Sequence, residues 1–231
     1  MIRQVQSGYN PSEIEGKVRD HWSQNDIYRK VKESRSSFPD FYFVDGPPYT
    51  TGHIHLGTAL NKILKDAILR YKRMSRNNVR DQPGFDMHGL PIEVKVEKSI
   101  GVRSKREIED YGIDKFVSTC RDYALDFQSK MTEQFKELGV WMDWDQPYMT
   151  INPSYIEAAW WTLRRAFDRD LLTSDERVLS WCPRCETALA EAEIEYWEER
   201  DPSIYVKFSL KDQDASLLIW TTTPWTLPAN M

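Results

Sequence analysis

The sequence has few cysteines, no excess of positive charge and no long apolar run. Three cysteines in 231 residues, an odd number with one CxxC pair, do not fit the disulfide framework of a small secreted domain. Acidic residues outnumber basic ones, 36 to 31, which argues against a general nucleic-acid coat. No segment approaches the roughly 18 apolar residues that span a bilayer, and the first residues lack a leader's apolar core. These absences predict a cytoplasmic protein with reduced thiols and no membrane contact.

Apolar residues make up 40% of the chain and aromatic residues 13%, enough to build a core. Helical periodicity predicts helices over 11–30, from Thr58 to about residue 76, over 114–138 and over 153–172. In the second of these, apolar side chains share one face and six basic side chains share the other, a pattern typical of a solvated basic face. Cys120 lies in the apolar stripe of the third helix and is predicted to be a core thiol.

Short strands are predicted over 41–44 and, after residue 172, over 178–181, 194–197, 204–210 and 217–223. The change from long helical patterns to short β-prone segments predicts a domain boundary near residue 175. These patterns predict an α/β fold with a parallel sheet and flanking helices, followed by a second domain of short strands.

The segment 41–74 carries the strongest functional pattern, because a strand leads through a Gly-Pro loop into a helix. This arrangement is typical of the nucleotide-binding edge of a parallel sheet, where helix amides attract phosphate. His55 can donate a hydrogen bond to a phosphate oxygen, Gly57 allows close approach of a ligand, and Thr58 can cap the helix or donate its hydroxyl. The loop matches neither a Walker A motif nor GxGxxG. A Gly-Pro turn with incidental histidines is the alternative.

His55-Leu56-Gly57-Thr58 resembles the His-x-Gly-His signature of class I aminoacyl-tRNA synthetases, with Thr58 at the position of the second histidine. Three further stretches resemble isoleucine-specific members of that family and follow in their order. They are PGFDMHGLPIE at 83–93, WCPRCETALAEAE at 181–193 and WTTTPWTLPAN at 220–230. Valine and leucine enzymes typically have Thr-Thr-Arg-Pro in the last stretch, so Thr223-Pro224 favours isoleucine.

The resemblance implies a role for each motif. The catalytic and ATP-binding residues would be His55, Gly57 and Thr58, acting with Mg²⁺. The amino acid would be bound by Gly46, Pro47 and Asp86, although Asp86 alone also fits a turn. Hydrolytic editing would involve Thr221, Thr222, Thr223 and Asn230, although a threonine-rich strand is the simpler explanation by composition. Zn²⁺ would be bound by Cys182 and Cys185, with two more ligands supplied from beyond residue 231.

These assignments predict four segments: an N-terminal helical segment (1–38), the first half of a Rossmann-type catalytic domain (39–175), a CxxC zinc-ribbon segment (176–200) and the start of an editing domain (201–231). The predicted activity is ATP-dependent ligation of isoleucine to tRNA(Ile), with editing of valyl-tRNA, in a longer monomeric protein. Residues 1–231 alone are expected to be inactive in aminoacylation. The alternatives are another class I adenylyltransferase and a catalytically silent fragment that acts as a binding module.

Overall fold

The computed structural model describes residues 8–229, apart from the side chain of Ala192. The chain divides into two compact units at the junction between Glu176 and Arg177, beside the change of composition near residue 175. Across residues 8–229, no helix has the length and apolar character that crossing a membrane requires.

The first unit combines helices with short parallel strands. Its helices are α1 (Pro11–Gln24), α2 (Ile27–Glu33), α3 (Leu56–Met74), α4 (Leu90–Ile100), α5 (Lys105–Tyr111), α6 (Ile113–Glu137) and α7 (Pro153–Phe167). Its strands are β1 (Asp40–Tyr42), β2 (Asn78–Arg80), β3 (Gly84–Phe85) and β4 (Tyr148–Met149). β1 pairs with β2 and β3 with β4, both in parallel, and a parallel bridge joins Tyr49 to Asp86. The predicted α/β class is confirmed, and the strands described form two separate parallel pairs.

Two clusters of apolar side chains form the core of this unit. The larger is supplied by β3, α4 and α6 and contains Phe85, Met87, Ile92, Val96, Phe116, Ala124, Met131 and Phe135. The smaller contains Leu69, Val79, Val140 and Met142. The predicted apolar stripe of α6 therefore faces the core. Cys120 is partly buried and packs against the larger cluster, in agreement with its predicted place in the apolar stripe, and burial raises the pKa of its thiol to about 11.

The orientation of α3 differs from the sequence prediction. Six of its apolar side chains are 46–80% exposed, those of Leu60, Ile63, Leu64, Ile68, Tyr71 and Met74, whereas Leu69 is buried in the smaller core cluster. Two of the basic side chains predicted to be solvated, Lys62 and Arg73, are only 1% and 3% exposed. Each meets a buried carboxylate, Asp45 for Lys62 and Asp81 for Arg73. The buried face of this helix therefore combines one apolar side chain, Leu69, with two cations that are paired with buried carboxylates.

Several predicted boundaries are wrong for local reasons. The helix predicted over 11–30 is interrupted because Asp26 adopts a left-handed conformation with φ of 50°, so α1 and α2 are separate. The helix predicted over 153–172 ends at Phe167, and the strand predicted over 41–44 covers Asp40–Tyr42. The sequence analysis missed α4 and α5, although Pro91 in the first turn of α4 and the Ser104 cap of α5 are ordinary helix-start signals.

The second unit is built from two antiparallel hairpins. β5 (Trp181–Cys182) pairs with β6 (Thr187–Ala188), and β7 (Ile204–Ser209) pairs with β8 (Ser216–Thr221). Short 3₁₀ turns cover Glu191–Glu193 and Pro224–Ala229. The strand predicted over 194–197 is wrong, because these residues are irregular and expose the rings of Tyr196 and Trp197. The strand predicted over 178–181 is present only at its last residue.

Candidate nucleotide-binding site

A cleft of about 410 Å³ opens beside the loop that joins β1 to α3. It is lined by Gly46, Pro48, Tyr49, Thr51, Gly52, His53, His55, Gly57, Thr58, Asn61, Lys62 and Met131. Four residues that the sequence pattern singled out, Gly46, His55, Gly57 and Thr58, are therefore brought together in one concave surface. The parallel pairing of β1 with β2 places this loop at the carboxyl end of a strand, where parallel sheets bind ligands.

His55 caps the N-terminus of α3. Its Nδ1 accepts a hydrogen bond of 3.3 Å from the backbone N–H of Thr58, so the neutral ring carries its proton on Nε2. A Cβ on Gly57 would lie 3.0 Å from His55 Cε1 and 3.1 Å from Nδ1, so Gly57 leaves space for this ring. Because the helix begins at Leu56, the alternative that Thr58 caps it is wrong. The arrangement combines an imidazole donor with the positive end of a helix.

Two side chains of α6 hold the loop in place. Gln134 accepts from the backbone N–H of Ile54 at 3.0 Å, and its amide lies 3.0 Å from Nδ1 of His53. The hydroxyl of Tyr123 donates to the carbonyl of Thr51 at 3.0 Å. Sequence reasoning missed both residues, because each contact joins positions more than 70 residues apart and no local pattern marks it.

A buried ionic cluster lies under the cleft. Asp45 and Lys62 are each 1% exposed and form an ion pair, and Nζ of Lys65 lies 2.7 Å from the same carboxylate. Burial lowers the pKa of Lys62, although the charge of Asp45 acts in the opposite direction. The sequence offers one signal for this cluster, an acidic residue directly after an apolar strand, where burial requires a partner.

Asp86 is attached to the loop through its backbone. Its N–H donates to the carbonyl of Pro48 at 2.9 Å, and its carbonyl accepts from the N–H of Thr50 at 3.1 Å. One carboxylate oxygen lies 3.3 Å from the hydroxyl of Thr150 and 3.6 Å from Nδ1 of His88. Asp86 and Pro47 are not among the residues lining the cleft. The structure therefore bonds Asp86 to the loop between β1 and α3, although Asp86 does not line the cleft beside that loop.

In the second unit, Cys182 ends β5 and Cys185 lies in the turn that follows. The N–H of Cys185 donates to Sγ of Cys182 at 3.4 Å. Hydrogen bonds from the backbones of Cys185 and Arg184 lower the pKa of Cys182, whereas burial raises the pKa of Cys185. Within residues 8–229, no group of three or more His, Cys, Asp or Glu side chains is placed to hold a metal ion.

Three of the predicted editing residues, Thr221, Thr222 and Thr223, lie at the end of β8 and directly after it. The hydroxyls of Thr221 and Thr223 lie 3.1 Å apart, and Thr221 also accepts from the N–H of Thr223 at 2.9 Å. Thr226 donates to the carbonyl of Thr223 at 2.8 Å. Thr222 is exposed, and Asn230 lies outside the described residues. The hydroxyls of Thr221 and Thr223 therefore meet at one end of the hairpin, whereas that of Thr222 is not part of this contact.

Comparison with known proteins identifies the family to which these features belong. The family model described as tRNA synthetases class I (I, L, M and V) matches residues 17–223. The chain belongs to this family of class I tRNA synthetases.

The chain is also similar to individual members of the family. It is 59% identical over its whole length to an isoleucine–tRNA ligase of Methanothrix thermoacetophila, and 62% identical over 96% of its length to that of Archaeoglobus fulgidus. The chain spans 22% of the length of each of these curated relatives.

A structural neighbour agrees with the fold assignment. The ternary complex of Agrobacterium radiobacter K84 agnB2 LeuRS with tRNA and LeuAMS matches with a TM-score of 0.59 at 17% identity, covering 96% of this chain and 33% of that one. At this identity the likeness concerns the fold alone.

Proposed function

We propose that the full-length protein containing this chain is an isoleucine–tRNA ligase. It activates isoleucine with ATP and Mg²⁺, transfers it to tRNA(Ile), and hydrolyses valyl-tRNA(Ile) formed in error. The proposal is supported by the isoleucine–tRNA ligases that match at 54–62% identity over nearly all of this chain. The same proposal makes the protein a cytoplasmic monomer, with residues 39–175 as the first half of a Rossmann-type catalytic domain.

The observation that carries the proposal is the position of the His55 ring on the N-terminus of α3. Because Nδ1 is occupied by the Thr58 N–H, the Nε2–H is the remaining polar group of the ring and can donate to a phosphate oxygen. The positive end of α3 adds to the attraction for an anion. The cleft that contains this group is large enough for a nucleotide, since ligand sites measure roughly 300–1,000 Å³.

Amino-acid activation needs alignment and charge stabilisation more than a base. A carboxylate oxygen of isoleucine attacks the α-phosphorus of ATP, and the bond from that phosphorus to the bridging oxygen breaks. Pyrophosphate leaves with the electron pair. His55 and the start of α3 would stabilise the charge on the phosphates, with bound Mg²⁺ supplying further neutralisation. Asp86 would pair with the substrate ammonium, and Gly46 and Pro47 would form the wall beside it.

The second unit would supply the zinc and editing functions. Cys182 and Cys185 fit two positions of a tetrahedral zinc site with bonds of ~2.3 Å, because they share one tight turn and the backbone favours the thiolate of Cys182. Thr221, Thr222, Thr223 and Asn230 would hold the terminal adenosine and a water in the editing pocket. Such a pocket is needed because the hydrophobic synthetic site of isoleucine enzymes is known to favour isoleucine over valine by only about 150-fold.

The test is isoleucine-dependent exchange between ATP and pyrophosphate in the full-length protein. His55→Ala should lower the exchange rate by about 10²-fold, the usual loss for one electrostatic group. His21→Ala is the matched control, since His21 lies in α1, and it should leave the rate unchanged. Exchange that does not depend on isoleucine would contradict the proposal.

Hydrolysis of valyl-tRNA(Ile), measured with Thr222→Ala as the variant, tests the editing step separately.

A further inference from the structure

Asp45 contacts three separate parts of the first unit, two of them through its carboxylate and one through its backbone carbonyl. Oδ2 pairs with Lys62 and also accepts the backbone N–H of Gly84 at 2.9 Å. Oδ1 accepts from Nζ of Lys65 at 2.7 Å. The hydroxyl of Tyr148 donates to the backbone carbonyl of Asp45. One buried acidic residue thus touches α3, the first residue of β3 and the first residue of β4.

These contacts connect Asp45 to both sides of the proposed active site. Gly46 follows Asp45 directly, and Nζ of Lys65 donates to the carbonyl of Gly46 at 3.2 Å. Gly84 lies two residues before Asp86, whose backbone is bonded to Pro48 and Thr50 of the loop. The loop between β1 and α3 and the strand that leads to Asp86 are therefore both in contact with Asp45.

A buried ionic cluster of this kind is not needed for stability alone. Removing two charges from water costs free energy, and well-packed apolar residues of similar volume often stabilise a fold as well or better. The Lys62 ammonium also lies over the rings of Phe135 and Trp144, at 5.3 and 5.8 Å from their centroids. The charged cluster adds geometric specificity, because hydrogen bonds to a carboxylate hold each donor at a defined position.

We propose that Asp45 is a positioning residue for amino-acid activation, holding the loop 46–57 and Asp86 at the separation that aligns the amino-acid carboxylate with the α-phosphorus. This inference rests on the proposed function for its substrates. It assigns to Asp45 no contact with either substrate and no proton transfer. Its effect is on alignment, where a displacement of about 1 Å can cost roughly 10²-fold in rate.

The test compares Asp45→Asn with Asp81→Asn in the full-length protein. Asp81 is the matched control, because it is also 1% exposed and pairs with a buried cation, Arg73, away from the cleft. In isoleucine-dependent exchange, Asp45→Asn should lower kcat by about 10²-fold with KM values changed less than about threefold. Asp81→Asn should lower the melting temperature similarly and leave kcat within about threefold. Equal loss of kcat in both variants would overturn the inference.

A second readout does not depend on activity. Amide hydrogen exchange in the full-length protein should become faster over residues 46–57 and 84–86 in Asp45→Asn, but not in Asp81→Asn. If Asp45→Asn leaves the amide protection of both segments unchanged, the inference is overturned, whatever the rate of ATP–pyrophosphate exchange. If wild-type protein lacks isoleucine-dependent exchange, the proposed function fails, whereas this hydrogen-exchange result still decides the structural role of Asp45.

Asp45→Glu provides a variant that keeps the charge if Asp45→Asn does not fold. The longer side chain moves the carboxylate by one methylene while Lys62 and Lys65 remain paired. It should fold and lower kcat by about tenfold, less than Asp45→Asn, because the attachment is displaced rather than lost. Wild-type kcat in Asp45→Glu, together with wild-type amide protection, would show that the position of the carboxylate does not matter and would overturn the inference.

Discussion

The two compact units differ in how much side-chain surface they bury. The first unit contains two clusters of buried apolar residues, whereas none of the described side chains between 177 and 229 is fully buried. The hairpins of the second unit are held by backbone pairing and by short-range contacts such as that between Thr221 and Thr223. Burial therefore fixes the conformation of the first unit, and local hydrogen bonding fixes that of the second.

The candidate sites follow the same division. In the first unit, the loop at Ile54 is held by Gln134, 80 residues away, and Asp45 meets Gly84 across 39 residues. In the second unit, Cys182 and Cys185 share a single turn. A site assembled over a long distance depends on the core that surrounds it, and a site made within one turn depends mainly on its own backbone.

The largest expected difference between the units is in the cost of removing an apolar side chain. Phe135 is fully buried and Leu218 is 67% exposed. Phe135→Ala should lower the free energy of unfolding of the first unit by about 3–5 kcal/mol. Leu218→Ala, which also truncates an apolar side chain but at an exposed site in β8, should cost less than about 0.5 kcal/mol. Urea denaturation of both variants measures this, and equal costs would remove the distinction between the units.

Gly84→Ala should give the next largest effect. A Cβ at this position would overlap the ring of Tyr148, so the ring that contacts Asp45 must move. We expect a loss of about 1–3 kcal/mol, the usual cost of overpacking. Gly16→Ala is the control, because no atom lies within 4 Å of the added carbon and Gly16 lies inside α1. Gly16→Ala should raise the free energy of unfolding by about 0.5–1 kcal/mol. A decrease instead would show that the added methyl group is not accommodated in α1.

Thiol labelling compares the units through their chemistry. Burial raises the pKa of Cys120 to about 11, and backbone hydrogen bonds lower the pKa of Cys182. Because the thiolate is the nucleophile, iodoacetamide at about pH 8 should modify Cys182 at least about tenfold faster than Cys120. Mass spectrometry of peptides after timed quenching gives both rates. Faster labelling of Cys120 would show that the edge of the larger core cluster is open to solvent.

The smallest expected effect is an alkaline loss of stability from Tyr148. Burial, and then the nearby charge of Asp45, raises its pKa from 10.0 to about 12. Since the unfolded phenol ionises first, the stability that Tyr148 contributes is complete below about pH 10 and is lost between about pH 10 and 12. Tyr148→Phe should remove about 1 kcal/mol of this alkaline decrease, a value reduced because solvent screens the partly exposed phenol. Unfolding at about pH 9 and about pH 11.5 measures it, and parallel pH profiles would contradict the shift.

Much of the first unit could be predicted from local pattern. The helical period located α3, α6 and α7 to within about five residues, and it identified the apolar stripe of α6, which faces the core. The pattern did not predict which face of α3 is buried. Lys62 and Arg73 turn inward because Asp45 and Asp81 are placed beside them by other parts of the chain.

The candidate nucleotide site was predicted in part. His55, Gly57 and Thr58 are adjacent in sequence, so their meeting at the start of α3 needs only a helix that begins there. The Gln134, Tyr123 and Lys62 contacts could not be predicted, because each requires distant elements to pack against the loop. The strand predicted over 194–197 was wrong because β-prone residues form a strand only when a partner strand is present.

The sequence by itself determined the helical periods, the grouping of His55, Gly57 and Thr58 near the start of α3, and the CxxC turn, since each depends on residues within one or two turns of chain. Only the tertiary structure decided that basic side chains of α3 face inward, that Gln134 and Tyr123 hold the loop, and that Asp45 joins the loop to the strand that leads to Asp86. These outcomes depend on buried charges and polar groups finding partners many residues away, and that pairing exists only once the elements have packed.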